Sequence, residues 1–202
     1  MQRLATVLRN RGVRFARVWG VVLASSLLAT VGWSQQPSLT WLGTLGGGVS
    51  FATGVSADGR VVVGEARNAA GQNRAFRWEN GAMQDLGTLG GNRSGAASVS
   101  ADGRVVVGVS DNAFGYARAF RWTATGGMED LNITYARLLT PGSALWQASA
   151  ISPDGRYIVG YGLNATTRRV EGFLLDTVPE PTSLLMLGVG LAGLLRLRRR
   201  KQ

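Results

Sequence analysis

Three segments of this chain recur at a fixed spacing, and that recurrence limits the fold more than any single residue does. Leu42-Gly43-Thr44-Leu45-Gly46-Gly47 returns as Leu86-Gly87-Thr88-Leu89-Gly90-Gly91. Ser56-Ala57-Asp58-Gly59-Arg60-Val61-Val62-Val63-Gly64 returns as Ser100-Ala101-Asp102-Gly103-Arg104-Val105-Val106-Val107-Gly108. Arg74-Ala75-Phe76-Arg77-Trp78 returns as Arg118-Ala119-Phe120-Arg121-Trp122. Each shift is 44 residues, as from Leu42 to Leu86. A third, diverged copy holds Ser152-Pro153-Asp154-Gly155-Arg156-Tyr157-Ile158-Val159-Gly160 and then Gly172-Phe173-Leu174-Leu175. Its shift is 52, from Ser100 to Ser152, and residues 132 to 147 stand as an insertion in place of the glycine motif. A unit of this size cannot bury its apolar face alone, so it must stack on its neighbours.

Each unit reads as four short strands. In the second unit the first strand is expected near Met83 to Leu89 and the next over Ala96 to Ser100. Asp102-Gly103 predicts a two-residue hairpin turn, because both residues accept positive backbone angles. That turn leads into Val105-Val106-Val107, whose unbroken apolar character predicts burial on both faces. A loop with Asn112 and Gly115 precedes a strand over Ala119 to Trp122. Phe120 and Trp122 lie two apart and share a face. Arg77 and Arg121 then point the other way, into solvent. Asn80-Gly81 and Gly126-Gly127 are expected to turn the chain into the following unit. The predicted fold is all-β: three tandem four-stranded repeats of about 44 residues, over about 41–84, 85–130 and 131–175, β-propeller-like in unit size. Propellers have four to eight blades, so three repeats predict an incomplete or open form.

The formal charge of +10 sits at the ends. Five arginines lie at positions 3, 9, 11, 14 and 17, and five basic residues follow position 195. Between residues 35 and 195 there are 12 arginines and 12 acids. A nucleic-acid binder needs its excess charge on the folded surface, so no nucleic-acid partner is expected. The basic start, the uncharged run Val18 to Val31 and the small residues Gly32 and Ser34 form a secretory signal over 1–34, with cleavage after Ser34. The signal implies the secretion machinery and signal peptidase as partners. A retained N-terminal anchor and a buried core helix are the alternatives.

The C-terminus holds Val178-Pro179-Glu180-Pro181, an apolar run from Leu184 to Leu195, and the basic stop Arg196, Arg198, Arg199, Arg200 and Lys201. Twelve helical residues cover about 18 Å, less than the roughly 30 Å of a bilayer core. A transmembrane helix over 184–195 is therefore a short, weakly held stop, with the arginines on the cytoplasmic side. The prolines keep the preceding backbone extended and accessible. Gly188-Val189-Gly190-Leu191-Ala192-Gly193 matches a dinucleotide-binding pattern, but the chain ends nine residues later without the acid that pattern needs.

These C-terminal residues resemble the PEP-CTERM sorting signal of exopolysaccharide-producing Gram-negative bacteria. The resemblance covers about residues 178–202. It implies recognition of the Val178-Pro179-Glu180-Pro181 motif by an exosortase, a transient stay in the inner membrane, and delivery to the cell surface or extracellular matrix. The repeats over 41 to about 175 resemble HAF extracellular repeats, whose members often carry such signals. Where others of that family have His-Ala-Phe, this chain has Arg-Ala-Phe at 74 and 118.

Chemistry is scarce in the body, residues 35–177. The chain has no cysteine and no histidine, which removes thiol nucleophiles, disulfides and the commonest general base. No cofactor and no metal are expected. Asp58, Asp102 and Asp154 read as turn residues rather than calcium ligands, since no D-x-D-x-D-G loop is present. Trp78 and Trp122 read as core residues rather than sugar platforms. Asn68, Asn112 and Asn164 read as loop residues. The expectation is a non-catalytic surface protein that binds or organises exopolysaccharide or envelope partners. Two alternatives remain: a carbohydrate-active enzyme on a propeller-like scaffold, and a permanently membrane-anchored envelope protein.

Overall fold

The structure, a computed structural model, describes residues 36–178. The signal segment 1–34 and the apolar run 184–195 lie outside the described residues. No helix among the described residues is long and apolar enough to cross a membrane.

Eleven strands make three antiparallel sheets. The first holds β1 (Gly46–Val55), β2 (Val61–Asn68), β3 (Asn73–Glu79) and β4 (Ala82–Asp85), in that order. The second repeats the arrangement with β5 (Gly90–Val99), β6 (Val105–Asn112), β7 (Ala117–Thr123) and β8 (Gly127–Asp130). The third has β9 (Ala144–Ile151), β10 (Tyr157–Asn164) and β11 (Arg169–Asp176). Among the described residues it therefore has three strands, not the four expected of every unit. After β11 the Thr177 N–H and hydroxyl both donate to the Arg156 carbonyl, at 3.0 and 2.8 Å.

Three turns differ from the sequence reading, and one of them, Gly126-Gly127, joins β7 to β8 within the second sheet instead of leading into the third unit. Asn80 (φ 51°) and Gly81 (φ 83°) both occupy the left-handed region. They form the two-residue hairpin, and it joins β3 to β4 inside one sheet. Ala82–Asp85 thus closes the first sheet instead of opening the second. At Asp102-Gly103 only the glycine has positive φ. Gly103 N–H donates to Ser100 O at 3.0 Å, so this loop is a type I turn followed by a left-handed glycine. The other two copies of this loop are built alike, closed by Gly59 on Ser56 O and Gly155 on Ser152 O.

Successive sheets stack face on face. One apolar cluster joins Val61, Val63 and Ala75 of the first sheet to Ala96, Val99, Val106, Phe120 and Trp122 of the second. Another joins Val107 and Ala119 to Leu145, Ala148, Ile158 and Leu175 of the third. Val106 and Val107 enter opposite clusters, so the second sheet is buried on both faces as its valine run predicts. Among the described residues the third sheet is covered on one face only. Val63 and Val107 are 0% exposed, whereas Val159 at the matching position is 41% exposed.

The sheets do not close into a ring. Along one edge, Ala57 N–H donates to Ala101 O (3.0 Å) and Ala101 N–H donates to Pro153 O (2.9 Å). Pro153 has no N–H, so this sheet-to-sheet ladder cannot continue past the third unit.

The insertion folds as α1 (Leu131–Thr134) and a 3-10 turn over Ala136–Leu138. Asp130 caps α1 by accepting from Asn132 N–H. Leu131 is buried in the second cluster. The Asn132 amide pairs with the Leu145 backbone in both directions, donating at 2.9 Å and accepting at 2.7 Å. It gives the start of β9 a strand-like partner.

Candidate functional site

Among the predicted sorting residues, only Val178 falls within the described part. It is exposed just beyond β11, and its N–H donates to Asp176 Oδ1 at 3.1 Å. Pro179, Glu180, Pro181, the basic stop from Arg196 to Lys201 and the cleavage residue Ser34 lie outside the described residues.

The repeated aspartates spend their oxygens on their own turns. Ser56 hydroxyl donates to Asp58 Oδ1 at 2.6 Å, and Arg60 N–H donates to the same oxygen at 3.0 Å. The second copy matches these distances with Ser100, Asp102 and Arg104. In the third, Ser152 and Arg156 hold Asp154. In each, the serine hydroxyl chiefly, then the arginine N–H, holds the carboxylate below its ordinary range. Among the described residues no group of three or more acids could hold a metal ion. Each of the three loops is braced by hydrogen bonds from its own serine hydroxyl and arginine N–H.

A pH dependence follows. A carboxylate with a depressed folded pKa adds stability that is complete above its unfolded value and is lost as pH falls through the folded one. Stability is expected to hold level down to about pH 5 and to decline below about pH 4, where the unfolded aspartates begin to protonate. Urea unfolding between pH 2.5 and 7 should record this, and Asp102→Ala should flatten the acid limb. An acid limb of equal steepness in that variant would contradict the assignment.

Arg77 corrects its solvated reading. Its side chain is only 16% exposed; Nε donates to Gly103 O in the next sheet at 3.1 Å and NH1 to Glu79 at 2.8 Å. It is a sheet-to-sheet tie. Arg121 is also largely covered and lies 3.8 Å from Glu129. Leu174 holds the equivalent place in the third sheet, which no further sheet covers, and it is exposed. Trp122 is a core residue and Trp78 is half-buried. The Asn68 carbonyl oxygen accepts from Ala70 and Gln72 N–H, and Asn112 repeats this with Phe114 and Tyr116. Both asparagines order their loops, as does Asn164 through Thr166 N–H.

A cleft of about 500 Å³ opens between the second and third sheets. Tyr116, Trp146 and Tyr161 supply aromatic walls; Arg93, Arg118 and Gln147 supply polar ones. Arg118 stands over the Tyr116 ring, 5.4 Å from its centroid. Tyr161 hydroxyl donates to Gln147 at 3.2 Å. Sequence reasoning passed over these residues because it followed what the repeats share. The available signal was where they differ: Tyr116 stands at the place of Gln72, and Tyr161 at the place of Val109 and Glu65.

Residues 177–201 match the PEP-CTERM protein-sorting motif. No curated protein matches the chain. Among solved structures, a TolB structure from Agrobacterium tumefaciens aligns over 64% of this chain and 46% of its own, at 18% identity and a TM-score of 0.47. TolB from Acinetobacter baumannii aligns over 62% of this chain and 33% of its own, at 18% identity and a TM-score of 0.40. The chain spans less than half the length of either.

Proposed function

We propose that this chain is an exported protein, sorted to the cell surface through its PEP-CTERM signal by an exosortase, whose repeat body binds or organises extracellular polysaccharide or envelope partners without catalysis. The observation that carries the sorting reading is the motif at residues 177–201, whose apolar run is followed by a basic one. The repeat body then sits on the exported side, with the motif leaving directly from the end of β11. On this reading the body is of the HAF type, and its partners in passage are signal peptidase, the inner membrane and the exosortase.

The non-catalytic reading is supported by the state of the acids. A glycosidase needs a carboxyl group held protonated near neutral pH beside a second carboxylate. Asp58, Glu79, Asp102, Asp154, Glu171 and Asp176 are all displaced the other way, toward the charged form. Asp85, Glu79, Asp111, Glu129 and Asp176 each lie within 4 Å of an arginine.

The test replaces Pro179-Glu180-Pro181 with alanines and follows localisation together with the mass of the mature chain. The native chain should reach the surface without Arg196 to Lys201, and the variant should stay in the inner membrane with its tail intact. Unchanged distribution and mass would remove the sorting reading. A native surface form that keeps its basic tail would instead favour the permanently anchored envelope protein.

A further inference from the structure

We infer that the cleft between the second and third sheets is a binding site for an acidic saccharide, a chain bearing carboxylates of the uronate kind. This rests on the polysaccharide-binding reading above and names the ligand class and the place.

The molecule carries its own control, because the first and second sheets stack in the same way, and the equivalent positions along their seam serve as a sister cleft for comparison. At the positions of Tyr116 and Tyr161 the sister cleft has Gln72 and Val109, and at the position of Gln147 it has Gly95. Sheet stacking is achieved there without aromatic walls, so packing does not require them here. Trp146 has no counterpart at all. In β5, Ser94 and Gly95 pair with consecutive residues of β6, Ser110 and Val109. In β9, Leu145 and Gln147 pair with consecutive residues of β10, Gly162 and Tyr161, and Trp146 is the extra residue of a bulge. Bulges of this kind re-aim a side chain, and they concentrate beside functional sites.

The chemistry of the walls selects the ligand. Aromatic faces offer flat apolar area at small entropic cost and suit the C–H faces of sugar rings. Gln147 offers an amide to hydroxyls. The two arginines select charge. Arg118 donates to its neighbour's carbonyl, Ala117 O, at 3.0 Å, and no carboxylate pairs with it among the described residues. Arg93 NH2 is 3.6 Å from Asp111, too far for a good hydrogen bond. Two guanidiniums against one carboxylate leave the cleft net positive, and guanidinium matches a carboxylate fork. In the sister cleft the arginine at the place of Arg118, Arg74, lies 3.8 Å from Asp85, and Glu65 occupies the place of Val109. Arg67 stands there at the place of Asp111, so two arginines meet two carboxylates and the charges balance, without the surplus of the cleft.

The test is equilibrium binding by the full chain in detergent, with a galacturonate hexamer and a neutral galactose hexamer as probes. The acidic oligomer should bind at least tenfold more tightly than the neutral one and should weaken as salt rises. Arg118→Gln should bring the two oligomers to parity. Tyr116→Ala, at a residue 62% exposed and so harmless to folding, should weaken the acidic oligomer about tenfold. Gln72→Ala in the sister cleft should change nothing. Equal affinity for both oligomers, no binding of either, or indifference to Tyr116→Ala and Arg118→Gln would each overturn the inference. Failure here leaves the sorting reading standing if the chain still reaches the surface, and a binding-competent chain retained in the inner membrane fails that reading alone.

Discussion

Gly108→Ala is expected to cost about 3 to 5 kcal/mol, enough to unfold most of a small domain. A Cβ at Gly108 would run into the Gly95 carbonyl oxygen of β5 and approach Phe120 Cε1 to 2.9 Å. The obstacle is a backbone carbonyl inside a sheet buried on both faces, so it cannot swing away as a side chain could. The same crowding recurs at Gly64 against Phe51 O and Phe76, and at Gly160 against Gln147 O and Phe173. In each unit an aromatic ring from the neighbouring strand lies over the glycine, and the register places Gly64 opposite Phe76, Gly108 opposite Phe120 and Gly160 opposite Phe173. Chemical denaturation of Gly108→Ala beside Gly115→Ala separates this cause from ordinary glycine effects. Gly115 has open space around it but φ of 80°, so its substitution carries only backbone strain, about 1 kcal/mol. A loss below about 1 kcal/mol at Gly108 would show that β5 can shift, and the explanation would fail.

Phe120→Ala should lower stability by a comparable 3 to 5 kcal/mol, since the ring is fully buried between the first and second sheets and its removal leaves a cavity. Phe173 is the same residue of the third unit, but it is only half-buried, packed beside the second cluster. Phe173→Ala is therefore expected to cost about 1 to 2 kcal/mol, the remaining transfer term of a partly wet ring. Equal losses at the two positions would mean that the Phe173 ring is as dry as that of Phe120, and its half-buried placement beside the second cluster would have to be abandoned.

Much of this arrangement was legible beforehand. The 44-residue recurrence announced stacked sheet units, and the valine run announced a strand wet on neither side. The Ser-x-Asp-Gly-Arg segments announced loops rather than ligands, because short polar side chains bond their own backbone whatever surrounds them. Asn80-Gly81 was placed at a turn correctly and given the wrong duty. Two residues with positive φ reverse a chain between paired strands, and only the pairing says which sheet those strands belong to.

Other features were hidden for identifiable reasons. Arg77 looks like any strand arginine facing water until the next unit is laid over it and Gly103 O comes within reach. The cleft residues come from β5, β6, β7, β9 and β10 and the loop between β6 and β7, so no window along the chain contains them together.

What this chain determines by itself is local and periodic: strand-length apolar alternation, self-bonded turns, and terminal segments whose charge and hydropathy act without a fold. What only the tertiary structure decides is which repeated positions become different. Val63, Val107 and Val159 are one residue by pattern, but a neighbouring sheet buries the first two and none covers the third. The physical reason is that solvent exclusion is a property of stacked surfaces, and a repeat encodes its own face without encoding how many neighbours will cover it.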